Sequence, residues 1–152
     1  MDVLAYAVPG WGVGELFFRG PLVYHELPTP RRSSAPVVSD HPLVERLQAY
    51  FAGEPVSLAD VELDLDWCTP FQRAVADVLR RLPYGETVTY GELAALAGYP
   101  NAQRAAGTFC AGNRFPLVLP CHRVVSAGGL GSYGSLGLEY KRRLLALEDV
   151  PL

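Results

Sequence analysis

Apolar and polar positions follow a short, strand-like period through the first third of the chain and a helical period after residue 69. Residues 3–8, 14–18 and 22–27 are runs rich in β-branched and aromatic side chains, separated by Pro9-Gly10 and Gly20-Pro21. They predict three short strands, most economically assembled as an antiparallel meander. Residues 28–40 carry three prolines, Arg31-Arg32 and Ser33-Ser34, which is loop composition. Asp40 then stands where it can cap a helix that shows Val44, Leu47 and Phe51 on one side, and this helix is expected to cover one face of the sheet.

The helical half has explicit starting signals. Thr69-Pro70-Phe71-Gln72 has the spacing of a capping box with proline in the first turn, followed by Phe71, Val75 and Leu79 along one face. Pro83-Tyr84-Gly85 marks a stop. Thr89-Tyr90-Gly91-Glu92 is a second capping box, and its helix runs through Leu93 and Leu96 to Gly98, a natural left-handed terminator. Asn101 is the expected cap of a third helix, from Ala102 to about Ala111, closed by Gly112. Two short helices around a tight turn make a helix-turn-helix over residues 90–111. Many such pairs only pack a core, so the pattern alone leaves DNA binding open. The second helix begins Ala102-Gln103-Arg104-Ala105-Ala106-Gly107, one long cation among very small side chains. A face of that kind lets backbone approach a narrow groove while a guanidinium fills the gap left by an extruded base. Tight helix packing around a solvated arginine is the competing reading.

Composition narrows the class. With 49% hydrophobic and 19% charged residues, the chain of 152 residues has the material for a packed core, which excludes disorder along its whole length. Its apolar runs are interrupted well before the roughly 20 residues a membrane helix needs. The first residues lack the basic start and cleavage site of a secretory signal, and three cysteines, an odd and sparse set, argue for reduced thiols; a cytoplasmic location is the expectation. The net charge of −3 conceals an asymmetry: residues 1–66 sum to −6 and residues 67–152 to +3. Only the second part is suited to a polyanion.

The chemistry concentrates in Pro120-Cys121-His122-Arg123-Val124. A cysteine between proline and histidine after an apolar stretch is poorly explained by packing. An ordinary thiol with a pKa of about 8.5 is only about 3% thiolate at pH 7, so a nucleophilic role predicts a thiol pKa lowered toward neutrality. His122 is the candidate base, and Glu148, at the end of a helix containing Leu144, Leu145 and Leu147, the candidate carboxylate that orients it. A lone Cys-His pair also occurs as structure or as part of a metal site. The three cysteines (Cys68, Cys110, Cys121) and three histidines (His25, His41, His122) show no zinc-ligand spacing, so no metal is expected. Cys68 and Cys110 read as small buried hydrophobes.

The run Pro120-Cys121-His122-Arg123-Val124 resembles the active-site signature of the O6-alkylguanine-DNA alkyltransferases, the methylated-DNA-protein-cysteine methyltransferases. Thr69-Pro70-Phe71-Gln72, Tyr84-Gly85-Glu86, Thr89-Tyr90-Gly91, residues 93–98, Arg104-Ala105, Gly112-Asn113 and Leu147-Glu148 fall in the family's order, close to its spacing. The resemblance covers about residues 67–150; residues 1–66 match only in length and character. It implies an α+β chain: an N-terminal antiparallel-sheet domain with a helix, ribonuclease H-like, over residues 1–66, and a mainly helical, winged helix-turn-helix-like domain over residues 67–152.

The resemblance further implies Cys121 as alkyl acceptor, relayed through a water to His122 and Glu148, with Asn113 bracing the turn. Arg104 looks like the family's finger that enters duplex DNA, on a face with Ala102, Gln103, Ala105 and Gly107. Tyr90 resembles the tyrosine that crowds the target phosphate and helps protonate the departing guanine. Val124 is expected to line the base pocket and offer its carbonyl to the guanine amine, and Tyr133 to lie on the loop that closes over the base. The implied partner is double-stranded DNA containing O6-alkylguanine, bound by a monomer without cofactor. The implied reaction runs once per molecule, because a thioether offers water no carbonyl to attack. Two departures stand out: Gln103 occupies a position where many relatives carry a small residue, and the N-terminal zinc ligands of some members have no counterpart. A non-catalytic alkylguanine-binding relative and a cysteine hydrolase are the alternatives; the first typically lacks the reactive cysteine, and the second turns over repeatedly.

Overall fold

A computed structural model of the chain describes residues 1–151 and has an α+β architecture in two compact units. The first unit comprises residues 1–64 together with residues 114–116. Its sheet is the predicted meander, β1 (Asp2–Val8), β2 (Gly12–Phe18) and β3 (Leu22–Thr29), antiparallel in the order β1-β2-β3. Ala5, Tyr6, Leu16, Leu22 and Leu27 of the sheet are buried, and α1 (Pro42–Phe51) contributes buried Leu43, Val44, Leu47, Tyr50 and Phe51. Gln48 Nε2 donates to Ala7 O at 3.1 Å, tying α1 to β1. The cap of α1 differs from expectation: His41, not Asp40, is the N-cap, its Nδ1 accepting from the Leu43 amide at 3.1 Å. Pro42 in the first turn accounts for the shift, since it fixes the helix start one residue later than an Asp40 cap requires.

Proline-rich residues 30–38 are irregular, yet they lie along the outer edge of β1. The Ala5 amide donates to Pro36 O and the Val38 amide to Ala5 O, each at 2.9 Å, which satisfies edge groups that would otherwise template another strand. Within this unit His25 is buried between two partners: its Nε2 lies 2.5 Å from Tyr6 Oη and its Nδ1 2.7 Å from Pro116 O. A carbonyl only accepts, so Nδ1 carries the proton and Nε2 accepts from the tyrosine hydroxyl. Gly14 makes this geometry possible, because a Cβ there would stand 2.5 Å from the Tyr6 ring. The His25 amide also donates to Arg114 O at 2.8 Å, so residues 114–116 are held to β3 just upstream of the segment that carries Cys121.

The second unit comprises residues 65–113 and 117 onward. Helix α2 (Pro70–Arg80) starts at the predicted capping box, with both reciprocal bonds between Thr69 and Gln72 formed. A two-residue strand β4 (Val88–Thr89) leads into α3 (Tyr90–Leu96), which has its own complete capping box between Thr89 and Glu92. Gly98 follows with φ 92°, the left-handed terminator expected there. The cap of α4 (Gln103–Ala111) is a second correction: Ala102 is the N-cap, without a side-chain bond, and Asn101 has φ 70°. Asn101 therefore supplies the left-handed residue of the turn, a conformation asparagine tolerates, and cannot also cap the helix. The strand β5 (Val124–Val125) pairs parallel with β4, and α5 (Gly137–Leu147) closes the unit. Among the described residues, no helix is long and apolar enough to cross a membrane.

Candidate active site

Three pieces of the second unit meet at the cysteine. The first is the segment after α4, where the Asn113 amide donates to Cys110 O at 3.2 Å and so holds Asn113 at the helix end. Asn113 Nδ2 then reaches both Leu119 O at 2.8 Å and Cys121 Sγ at 3.1 Å. The second is the 3₁₀ turn Cys121–Arg123, which leads directly into β5. Because β5 pairs with β4, Tyr90 at the start of α3 is set beside that turn. The third is the C-terminal end of α5, where Glu148 is the C-cap residue and its side chain is buried.

Glu148 is the hub. Its carboxylate accepts from His122 Nε2 at 2.5 Å, from Arg123 Nε at 2.9 Å and NH2 at 3.1 Å, and from the Gly85 amide at 2.9 Å. Burial on its own raises the Glu148 carboxyl pKa, but the hydrogen bonds and charges of His122 and Arg123 overcome it and hold the group well below the usual carboxylate range. An ionised carboxylate only accepts, so His122 presents Nε2–H to it. Burial lowers the His122 pKa against the pull of Glu148, so the ring is neutral near pH 7 and Nδ1 is its basic nitrogen. Arg123 completes the arrangement by donating NH1 to Leu82 O at 2.7 Å.

The state of Cys121 reverses the expectation from sequence. The residue is 3% exposed, and its pKa is raised well above the ordinary thiol value, first by burial and then by a hydrogen bond and charge interaction with Cys110. The Asn113 donor and the Lys141 charge lower it without overcoming the desolvation. Cys121 is therefore a covered, protonated thiol rather than a thiolate ionised at neutrality. Removing water from a nascent thiolate costs more here than one amide donor and a nearby cation return.

The remaining predicted residues lie in the same unit. Tyr90 is half-buried and packed between Gly107 and Gly131; burial raises its hydroxyl pKa, against the lowering influence of Ser132. Val124 is fully buried, and its carbonyl accepts from Lys141 Nζ at 2.6 Å, so the oxygen expected to await a guanine amine is already engaged. Tyr133 stacks on Tyr140 at 6.3 Å between centroids, and its hydroxyl is buried without a hydrogen-bond partner among the described residues. Gln103, Arg104 and Ala105 are exposed on α4, and Ala102 and Gly107 are half-buried. A cavity of about 760 Å³ is bordered by Tyr90, Gln103, Arg104, Gly107, Gly131 and Ser132.

Three residues of this centre escape a reading of the sequence. Lys141 is fully buried and donates to the carbonyls of Val124, Leu130 (2.5 Å) and Ser132 (3.1 Å), pinning the glycine-rich loop to β5. Burial lowers its pKa to about 8, against the raising influence of Cys110 and Cys121. Its inward position is visible in the spacing of Lys141, Leu144, Leu145 and Glu148, which share one face of α5. Arg123 is the second, hidden by its place in the same short turn as Cys121. Cys110 is the third: it is half-buried, not a core hydrophobe, and the spacing Ala106, Phe109, Cys110 marks the inner face of α4.

The family model described as "6-O-methylguanine DNA methyltransferase, DNA binding domain" matches residues 70–150. The chain is 51% identical over 106 residues to the methylated-DNA–protein-cysteine methyltransferase of Mycolicibacterium paratuberculosis, covering 69% of this chain and 62% of that protein. It is 44% identical over 108 residues to the protein of the same name from Methanopyrus kandleri, covering 71% and 79%. The crystal structure of Mycobacterium tuberculosis OGT in complex with DNA superposes with a TM-score of 0.81 at 38% identity, over 99% of this chain and 96% of that one. The O6-methylguanine-DNA methyltransferase of Pyrococcus kodakaraensis superposes with a TM-score of 0.77 at 25% identity, covering 97% of this chain and 99% of that one. With its Cys121-His122-Glu148 centre and these relatives, the chain belongs to the methylated-DNA–protein-cysteine methyltransferase family. It spans 62% of the length of the mycobacterial relatives it matches in sequence.

Proposed function

We propose that the protein repairs DNA by moving the alkyl group from O6 of an alkylated guanine to Cys121 Sγ, once per molecule. The observation that carries the reading is the buried constellation on one nucleophile: Asn113 Nδ2 at 3.1 Å from Sγ, and behind it a neutral His122 bonded to an ionised Glu148. His122 Nδ1 takes the thiol proton, directly or through a water, as sulfur attacks the alkyl carbon. The Sγ–C bond forms while the C–O6 bond breaks, and the departing guanine takes a proton at its ring from the Tyr90 hydroxyl, which regains one from solvent while His122 holds the thiol proton. The imidazolium that results is stabilised by the carboxylate already bonded to its other nitrogen. The product is a thioether, and no residue of the site is suited to reverse it.

A raised thiol pKa is compatible with this chemistry. A buried thiol stays protonated and inert toward adventitious electrophiles, and deprotonation is coupled to the displacement itself. The exposed face of α4, with Arg104 among Gln103, Ala105 and half-buried Gly107, is the surface we assign to DNA, and Arg104 the side chain that replaces the everted nucleotide. Phosphate contacts from the basic half supply salt-sensitive, sequence-independent affinity. Tyr133 and Val124 line the base pocket, entered when the loop around Gly131 moves off Tyr90. We further assign the three-stranded unit with α1 to a ribonuclease H-like domain, over residues 1–66, and the unit built on α3 and α4 to a winged helix-turn-helix-like domain, over residues 67–152. The meander with its covering helix and the helix pair around Asn101 support these assignments.

Incubation with a duplex oligonucleotide containing O6-methylguanine, followed by mass spectrometry, tests the reading. A gain of about 14 Da on the peptide bearing Cys121, absent in Cys121→Ser, is expected from one methylene transferred to a thiol. Retained binding of the oligonucleotide with an unmodified cysteine would instead make this a binding-only member of the family.

A further inference from the structure

Over residues 102–107, Gln103 and Arg104 are the only long side chains; Ala102, Ala105, Ala106 and Gly107 around them extend no further than Cβ. Both are exposed, and among the described residues neither the Gln103 amide nor the Arg104 guanidinium has a hydrogen-bond or ion-pair partner. They border different spaces. The cavity of about 760 Å³ touches both of them and Tyr90. A second cavity, of about 480 Å³, is bordered by Tyr90, Gly91, Gln103 and Ser126 but not by Arg104. Gln103 therefore stands between two cavities that share Tyr90, one residue before the arginine. The two side chains also differ in what they can distinguish: a guanidinium only donates, whereas an amide holds a donor and an acceptor side by side.

We propose that Gln103 reads the base pair next to the everted nucleotide through the minor groove and favours a guanine there, so that the sequence beside the lesion sets the speed of repair. This rests on the function proposed above, which brings α4 to DNA and puts Arg104 in the place of the target nucleotide. Consecutive Cα atoms lie about 3.8 Å apart and stacked base pairs about 3.4 Å, so the residue before the one that fills the gap meets the neighbouring step. The short side chains on either side let the backbone come close enough to a narrow groove for the amide to reach a base edge. In that groove an A·T pair shows only the acceptors A N3 and T O2, whereas a G·C pair adds the guanine amine. Gln103 Nε2–H donates to guanine N3 while Oε1 accepts from the N2–H beside it. On an A·T pair Nε2 still finds an acceptor, but Oε1 gives up its water and meets no donor. The guanine amine is thus the group that decides.

The full-length protein is given duplexes with one O6-methylguanine whose flanking pair, on one side and then the other, is G·C or inosine·C, and A·T or 2,6-diaminopurine·T. Inosine lacks the guanine amine, and diaminopurine adds that amine to an A·T pair, so each comparison changes one minor-groove group. The second-order rate constant of methyl transfer and the binding affinity by fluorescence anisotropy are measured on the same set. On one flank, the G·C to inosine·C ratio of the wild type is expected to stand about tenfold above that of Gln103→Ala, and the diaminopurine·T to A·T ratio likewise. Comparing ratios between proteins cancels the strength of the flanking pair itself, which both proteins meet alike. Gln103→Lys, which only donates, is expected to show a ratio no higher than that of Gln103→Ala. Equal ratios in wild type and Gln103→Ala on both flanks would overturn the proposal, as would a Gln103→Lys protein that keeps the wild-type ratio. Methyl transfer that proceeds with equal ratios removes the role of Gln103 and leaves the proposed function. Binding that shows the Gln103-dependent ratio, with no methyl ever found on Cys121, removes the alkyl transfer and leaves the groove contact. Neither binding nor transfer on any duplex removes both.

Discussion

Arg123 and Glu148 form a buried two-bond ion pair, Nε to Oε1 at 2.9 Å and NH2 to Oε2 at 3.1 Å, immediately beside the His122–Glu148 contact. With the His122 bond, the pair holds Glu148 as a carboxylate in a place where burial alone favours the neutral acid. Arg123→Met leaves that carboxylate with two donors instead of four and a Leu82 carbonyl without its partner. Loss of one member of a buried pair typically costs about 3–5 kcal/mol. Urea unfolding of the variant is expected to show a loss of that order. Arg123→Lys recovers less than half of it, because a single ammonium cannot reproduce the fork geometry. A variant of wild-type stability would show that the pair contributes nothing net to the fold.

The pH dependence of Cys121 reactivity distinguishes a covered thiol from a resting thiolate. Burial raises its pKa, so alkylation by iodoacetamide is expected to be slow at pH 7, slower than that of glutathione, and to climb with pH beyond the ordinary thiol midpoint of about 8.5. Asn113→Ala removes a group that lowers the thiol pKa, so the profile moves further alkaline. The measurement is the pseudo-first-order rate at the Cys121 peptide across the pH range. A midpoint at or below 7 restores the ionised sulfur that the sequence suggests.

That contrast shows what the chain makes legible and what it conceals. Both capping boxes, the meander and the residues gathered around Cys121 follow from spacing and short motifs, because they are local or because a signature run names them. Asp40 and Asn101 mislead as caps because aspartate, asparagine and histidine all suit helix starts. The choice among them falls to Pro42 and to the left-handed turn at Asn101. The direction of the Cys121 shift is not local at all. It is the balance of burial and Cys110, which raise the pKa, against Asn113 and the Lys141 charge, which lower it, and only the assembly of these residues fixes its sign.

His25 makes acid stability a test of the first unit. Burial lowers its pKa to about 4, against about 6.5 in an unfolded chain, so between these values the unfolded state binds a proton that the native state excludes. The contribution is complete above about pH 6.5 and is lost as pH falls toward 4, about 3 kcal/mol over the whole window. His122 is shifted in the same direction, so the wild-type slope contains both groups. His25→Gln keeps a polar side chain between Tyr6 and Pro116 but removes one titrating proton. Denaturant midpoints measured from pH 7.5 to 4 are expected to fall less steeply in the variant, and parallel curves would exclude the assignment.

Gly131 sits against Tyr90 with φ 81°, and a Cβ built there stands 2.8 Å from the Tyr90 hydroxyl. Gly131→Ala therefore meets two separate penalties, the left-handed backbone, costing about 1–2 kcal/mol for alanine, and the overlap with the ring. Neighbouring Leu130 and Ser132 are tied to Lys141 through their carbonyls, so strain at Gly131 loosens the contact between this loop and β5. Faster iodoacetamide alkylation of Cys121 in Gly131→Ala is the expected consequence, as the covered sulfur becomes reachable more often. Tyr90→Ala in the same background removes the overlap and leaves the backbone term, so the double variant is expected to recover part of the protection in a double-mutant cycle. Alkylation rates identical to wild type in Gly131→Ala would mean that this loop does not govern access to the thiol.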